Sequence, residues 1–370
     1  MQGIFLTYDK LDNQKMTGVD SKIISQIDLF NKNGLNCIPY TLKTNKLTLL
    51  EKVLRIFPCS KGKIFWNYDP IFANIDYIYF RRGATATYQM RKMFELIKNN
   101  NSTIKIIMEI PSYPYDKEFK GFIGYILLLK DSYNRKRLNN AVDRLAIVSH
   151  KIYPRIWGIK TISFINGCDL SKISMRVVKA TDVIELICVA VFSPWHGYER
   201  IISGMNEYYS NNGNREIIIH MVGEGPELGK YQKLVKKYNL SKNIIFHKHL
   251  SGEKLDAVYN RSNLAIASLG LYKIGLDVQN TLKSREYLAK GLPIISGSKV
   301  DVLYKTNFKY YCQFPNDSTY IRIQKIIDFY DSIYESQTAD LVSRNIRDFA
   351  EKEIDINIVM KPIIDYIKNG

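Results

Sequence analysis

The chain of 370 residues has no run of about 18 apolar residues, the length that a membrane-crossing helix requires. Its opening, MQGIFLTYDK, lacks the basic start and long apolar stretch of a secretion signal, so a cytoplasmic protein is expected. Cysteine is scarce. Cys37, Cys59, Cys168, Cys188 and Cys312 are odd in number, scattered and without CxxC spacing, which excludes a disulfide framework and a zinc site and leaves reduced core thiols. No Asp-x-Asp pair occurs, and neither a metal nor any other required cofactor is expected. Internal repeats, low-complexity tracts, Gly/Ser linkers and recognised nucleic-acid modules are also missing, which argues against a nucleic-acid partner.

Basic charge is what the chain has in excess. Residues 1–180 hold 29 Lys and Arg against 14 Asp and Glu, whereas residues 181–370 hold 24 against 22. The positive field therefore belongs to the first half. Such a half suits a phosphorylated substrate, an anionic membrane or nucleic acid, and charge alone does not choose among them.

With 46% hydrophobic residues the chain is long enough for two cores. Strand-like GIFLTY, NCIPYTL, IDYIYFR, TIKIIMEI and RLAIVS alternate with helical patterns, and the alternation restarts after NGCDLSKIS with VIELICVAVF, EIIIHMVG, NIIFHKHL and LAIASL. This order predicts α/β architecture: two Rossmann-like, doubly wound domains facing a cleft, with a C-terminal helical tail crossing over. The expected divisions are one Rossmann-like domain over 1–175, a second over 176–345 and a terminal helix over 346–370 that packs across the domains. Ligands in such sheets bind beyond the carboxyl ends of the strands.

In TLKSREYLAKGLPIISG, Thr281–Gly297, a helix stopped by Gly291 and Pro293 carries Lys283, Arg285 and Glu286 within one turn. A solvated charged face and a phosphate-and-ribose site at a helix N-terminus are the two readings of that turn. The linked motifs NGCDLSKIS, HGYERII, VGEGPELGKYQKL, NIIFHKHLSGEKLDAVYNRSNLAIASL and REYLAKGLPII decide between them. In order and spacing they resemble the retaining glycosyltransferases of the GT-B fold, family 4. With IMEIPSYPYDKE, WHGYERI and LKSREYLAKGLP, the chain is similar to the bacterial members that build capsular polysaccharide or exopolysaccharide. The resemblance implies transfer of a hexose from a nucleotide sugar, most often a UDP-sugar, with retention of configuration. It runs from about Asn166 to Gly297.

By that resemblance Glu286 holds the ribose hydroxyls, and the helix start at Leu282, Lys283 and Ser284 faces the donor diphosphate, while Arg285 is free to turn towards solvent. Gly223 and Glu224, in the turn after EIIIHMV, lie on the donor side. Three positions depart from the family. Its donor-binding Arg aligns with Ala190 and the Lys of its KG motif with His196, so Arg200 and Lys283 are the expected replacement cations. His196 is either a phosphate donor or a loop residue packed on Trp195. The first Glu of the family's two-glutamate motif falls on Val278 or Leu271, and Asp277, in a connection seven residues longer than usual, either holds the sugar or is a plain loop residue. The catalytic candidates are thus Arg200, Lys283 and Asp277.

In the first domain, Thr17-Gly18-Val19 stands where the family has its glycine loop, and Gly18 would let a helix N-terminus approach the diphosphate. Glu109, Tyr113, Tyr115 and Asp116 are acceptor-binding candidates, set against a packed Pro-rich loop as the alternative. The segment Phe119–Leu138, with Lys120, Lys130, Arg135, Lys136 and Arg137, reads either as an anchor on an anionic membrane or as a core helix with a basic end. A peripheral position on the inner face of the plasma membrane and a saccharide acceptor linked to a lipid diphosphate follow from the first reading. A non-catalytic GT-B partner subunit is the alternative function.

Overall fold

A computed structural model describes residues 1–8, 18–43, 48–54, 57, 66–83, 85–116, 119, 121–177 and 183–370. Thr17 and Lys120 lie outside them. The chain divides into two compact units, one formed by Met1–Ile165 and Ile356–Gly370, the other by Asn166–Asp355. It enters and leaves the second unit side by side, because the Cys168 N–H donates to the Ile354 carbonyl at 3.0 Å.

The first unit is built on β1 (Gly3–Thr7), β2 (Cys37–Thr41), β3 (Tyr77–Arg81), β4 (Lys105–Ile110), β5 (Arg144–Val148), β6 (Arg155–Ile156) and β7 (Ile159–Phe164). Their order is β2-β1-β3-β4-β5-β7-β6, parallel except for the β6–β7 hairpin. The helices are α1 (Gly18–Lys32), α2 (Leu49–Leu54), α3 (Tyr88–Asn100) and α4 (Gly121–Arg135). Phe5, Tyr77, Tyr79 and Ile107 pack on one side of the sheet, and Ile4, Ile78, Phe80 and Met108 on the other. Burial of both faces is why these strands read as apolar runs without polar alternation.

The second unit holds β8 (Ile184–Val189), β9 (Ile217–Val222), β10 (Ile244–His247), β11 (Leu264–Ile266), β12 (Val278–Gln279), β13 (Ile294–Ser296), β14 (Lys299–Val300) and β15 (Tyr311–Gln313). Its main sheet runs β10-β9-β8-β11-β13-β15, all parallel, and among the described residues β12 pairs with β14 alone. The helices are α5 (Glu199–Ser210), α6 (Leu228–Lys237), α7 (Glu253–Arg261), α8 (Leu282–Lys290), α9 (Ile323–Tyr334) and α10 (Ala339–Glu353). The strand order reverses between β8 and β11. Loops leaving those two strands therefore diverge at a topological switch point, where open α/β sheets bind ligands.

The tail, α11 (Ile356–Val359) and α12 (Lys361–Asn369), belongs to the first unit. Ile363, Ile364 and Ile367 are buried in the core that contains Phe5 and Tyr79. Lys105 Nζ donates to the Ile367 carbonyl at 2.7 Å, a cation on an otherwise unsatisfied helix end. Among the described residues, no helix is long and apolar enough to cross a membrane.

Candidate functional site

Helix α8 starts at the switch point and has no side-chain cap: the Thr281 hydroxyl, at the cap position, donates to the Ser284 hydroxyl at 3.3 Å and accepts no backbone N–H of the first turn. Backbone N–H groups of Leu282, Lys283 and Ser284 are among the donors that such a helix start leaves without intrahelical partners. Gly291 ends the helix in the left-handed region at φ 77°, and a side chain there would run into the Ser343 backbone. The nine-residue helix is thus fixed at its far end and open at its start.

Lys283 lies in the first turn. Its Nζ donates to the Tyr198 hydroxyl at 3.2 Å and sits 5.6 Å from the centre of that ring. Among the described residues, no carboxylate stands within ion-pair distance of it. Burial lowers its pKa to about 7, against a smaller opposing effect of Cys188. A half-buried amine with no carboxylate partner among the described residues thus stands beside an uncapped helix start, whose dipole and free N–H groups favour negative charge.

His196 belongs to the same cluster. Its ring stacks on Tyr198, 5.6 Å apart and 12° from parallel, rather than on Trp195, which is tilted by 56°. The Ser193 N–H donates to its Nδ1 at 3.0 Å, so in the neutral ring Nε2 carries the proton. Burial, with the charge of Lys283 second, lowers its pKa to about 2. His196 is therefore a neutral donor at physiological pH. Unfolded, it would bind a proton below about pH 6.5, whereas the folded ring stays neutral down to about 2. Stability should fall as pH drops through this window, by up to about 1.4 kcal/mol per pH unit from this group. Urea midpoints at pH 7 and 5 test this, and His196→Gln should flatten the difference.

Glu286 is three residues from Lys283 and shares its helix face. Burial raises its carboxyl pKa, opposed by Tyr259 beside it and by the charge of Lys290. Ser284 is buried and uses its hydroxyl internally, donating to the Thr281 carbonyl at 2.7 Å. Its backbone, not its side chain, is what the site can use.

Several expected site residues have other partners. Arg200 does not face a ligand: its guanidinium donates to the carbonyls of Thr319 (2.6 Å), Pro315 (2.9 Å) and Leu269, bracing the loops after β11 and β15. Arg285 is not on a solvated face but fully buried, with Nη2 on both oxygens of Asp301 at 2.7 and 2.6 Å. Gly223 and Gly225 are needed where two backbones meet, since side chains there would strike the Ala190 carbonyl and the Phe192 backbone. Glu224 is exposed, and its carbonyl accepts from the Phe192 N–H at 2.7 Å. Asp277 is exposed as well and accepts from Asn316 Nδ2 at 3.1 Å. The long connection around it is accounted for by the short turn Leu271–Ile274 and strand β12.

In the first unit Glu109 is fully buried and cannot offer its carboxylate to an acceptor. It accepts from Lys22 (2.9 Å), Gln26 (2.8 Å), Tyr79 (2.6 Å) and Arg81, which together fill its lone pairs. Tyr115 is buried too, its hydroxyl shared among Arg82, Asp131 and Arg135. Asp116 is exposed and pairs with Arg135 at 2.7 Å, and Tyr113 is half-buried with its ring edge-on to Tyr153. Gly18 is exposed and opens α1. Among the described residues, no group of three or more His, Cys, Asp or Glu is placed to hold a metal ion.

Residues 171–302 match the family of group 1 glycosyl transferases, and that span includes the whole cluster of His196, Tyr198, Lys283 and Glu286. The fold is GT-B. Sucrose-phosphate synthase from Thermosynechococcus elongatus superposes with a TM-score of 0.69 at 14% identity, covering 100% of this chain and 98% of that one. HepE from Anabaena, in complex with UDP, gives 0.63 at 11% identity with both chains fully covered. Trehalose-6-phosphate synthase OtsA gives 0.63 at 10% identity, covering 100% and 99%. At such identities the likeness carries the GT-B architecture and not the substrates. No curated protein matches at the sequence level. Tyr198, which sequence reading did not single out, stands inside the quoted HGYERII motif, and its hydroxyl is what holds Lys283.

Proposed function

We propose that the chain is a glycosyltransferase that moves a hexose from a nucleotide-diphosphate sugar to a saccharide acceptor with retention of configuration. One observation carries the reading: Lys283 is a half-buried cation that has no carboxylate partner among the described residues, at the uncapped start of α8, with Glu286 one turn further on the same face. The diphosphate is held by Lys283 and the helix N–H groups, the ribose hydroxyls by Glu286, and a phosphate or sugar oxygen by His196 Nε2. As the bond from the anomeric carbon to the phosphate oxygen breaks, charge grows on the leaving diphosphate, where the amine and helix dipole are aimed. The acceptor oxygen bonds to the same face of that carbon, and its proton passes to the leaving phosphate. Tyr113 and Asp116 are the acceptor-side residues still open to a ligand.

A UDP-sugar is the preferred donor, supported by the structural likeness to HepE, which has been solved in complex with UDP and with UDP-glucose. We assign the acceptor to saccharides on a lipid diphosphate, in capsule, exopolysaccharide or other surface glycan synthesis, on the basic charge of the first unit. That unit holds 28 Lys and Arg against 14 Asp and Glu, a net +14.

Melting temperatures against UDP, GDP, dTDP, CDP and ADP test the donor assignment. UDP at about 100 times its Kd should stabilise the protein by about 2.7 kcal/mol, and Glu286→Ala should remove most of that shift. No shift with any nucleotide would sink the donor reading. UDP binding without hydrolysis of UDP-sugars or transfer would favour a non-catalytic partner subunit, because the two family cations are replaced by Ala190 and His196 and Arg200 is engaged by carbonyls.

A further inference from the structure

Helix α4 is amphipathic in the wrong sense for a soluble protein. It buries Lys130, Asp131 and Asn134 and turns Phe122, Ile123, Tyr125, Leu129 and Tyr133 outwards. Phe122 is 79% exposed and Ile123 74%. The polar residues are committed inside: Asp131 accepts from Arg82 Nη2 at 2.8 Å, from the Tyr115 hydroxyl at 2.6 Å and from Arg135 at 3.1 Å. This locked interior network fixes the rotation of the helix, so its apolar face cannot turn in. A contiguous exposed apolar face of this kind marks an interaction surface.

The surroundings state the chemistry of the partner. Lys136 and Arg137, just beyond the helix, are exposed, and the Arg137 guanidinium lies 3.8 Å from the centre of the Tyr133 ring. In the adjoining β6–β7 hairpin, Arg155 and Lys160 stand directly opposite each other, both exposed. Like charges in that position are destabilising unless an anion offsets them. The hairpin is tied to α4 by Trp157, whose ring centre is 5.2 Å from the Arg135 guanidinium. Apolar side chains that enter the acyl boundary, flanked by aromatic rings and cations, match an anionic interface.

We propose that the outward face of α4, with Lys136, Arg137, Arg155 and Lys160 beside it, docks the first unit on an anionic lipid bilayer. The helix lies in the interface plane and does not cross it. Of the five basic residues in the segment, Lys130 and Arg135 take no part, since both turn inwards. The inference uses only the first unit and does not rest on the donor assignment.

Flotation of the full chain with vesicles of phosphatidylcholine alone, or with one third phosphatidylglycerol, tests it. The vesicles hold no glycan, which separates a bilayer surface from the lipid of an acceptor. Binding is expected to the anionic vesicles and to fall with added salt. The double variant Phe122→Ser and Ile123→Ser should bind at least about tenfold more weakly, because two exposed apolar anchors are lost. Arg155→Glu with Lys160→Glu should erase the preference for anionic lipid. All four positions are exposed, and unchanged melting temperatures and UDP-induced shifts would show that the fold and the donor site are intact. Absence of binding to either vesicle, or binding unaffected by the Ser pair, would overturn the proposal. A dimer in solution that the Ser pair dissociates, without vesicle binding, would assign the face to a second copy instead and likewise overturn it.

Discussion

Lys283→Met is expected to weaken binding of a UDP-sugar by roughly 10- to 100-fold, the range for the loss of a charge-assisted hydrogen bond. The same residue should make binding depend on pH. With a pKa of about 7 in the free protein, Lys283 is largely neutral at pH 8.5, yet a bound diphosphate favours its ammonium form and raises the pKa. Binding therefore takes up a proton above pH 7, and affinity should fall by up to about tenfold per pH unit until the pKa of the complex is reached. Calorimetry at pH 8 in two buffers of different ionisation enthalpy would register the uptake as a difference in apparent heat. Lys283→Met should bind weakly and without that difference. An affinity flat from pH 7 to 9 in the unaltered protein would remove Lys283 from the diphosphate.

The contrast between Lys283 and Arg200 shows what the sequence can and cannot disclose. Alternating strands and helices, the stop at Gly291 and the start of α8 were all legible, because each depends on local pattern or on one residue's backbone freedom. The function of a cation depends on what it meets across the fold. Arg200 reaches carbonyls at Leu269, Pro315 and Thr319, more than 60 positions away, and no periodicity announces such contacts. Glu109 misleads in the same way: a carboxylate near the carboxyl end of a strand looks like a ligand group, yet Lys22, Gln26, Tyr79 and Arg81 converge on it. Apolar strands hide a further case in β8, where Glu185 is buried against His220 at 2.7 Å. Gly223 was expected on the donor side, and the space that it and Gly225 leave is taken by the chain's own backbone at Ala190 and Phe192. Helix α4 was legible as apolar and basic, but not the inward rotation of Lys130 and Arg135 that leaves its outer face without charge.

Arg285 and Asp301 supply the second large expected effect. The guanidinium is fully buried and donates to the Asn166 carbonyl at 2.7 Å, to Asn280 Oδ1 at 2.9 Å and to both carboxylate oxygens of Asp301. Asp301→Ala would leave that cation without its charge partner, a change that costs about 3–5 kcal/mol at buried pairs and should lower the melting temperature by roughly 10 °C. The double variant Arg285→Met with Asp301→Leu should recover much of the loss, since an apolar pair of similar volume carries no desolvation penalty. Near-equal melting temperatures for Asp301→Ala and the unaltered protein would mean that the pair does not hold α8. Arg285 sits between Lys283 and Glu286 in sequence while pointing away from their shared face, so the pair acts on the site only through the position of the helix. In Asp301→Ala, UDP affinity should therefore drop even at temperatures where the protein remains folded. In the double variant it should return together with stability. The run of three charged residues thus serves two purposes at once: Arg285 anchors the helix, and Lys283 and Glu286 are presented by it.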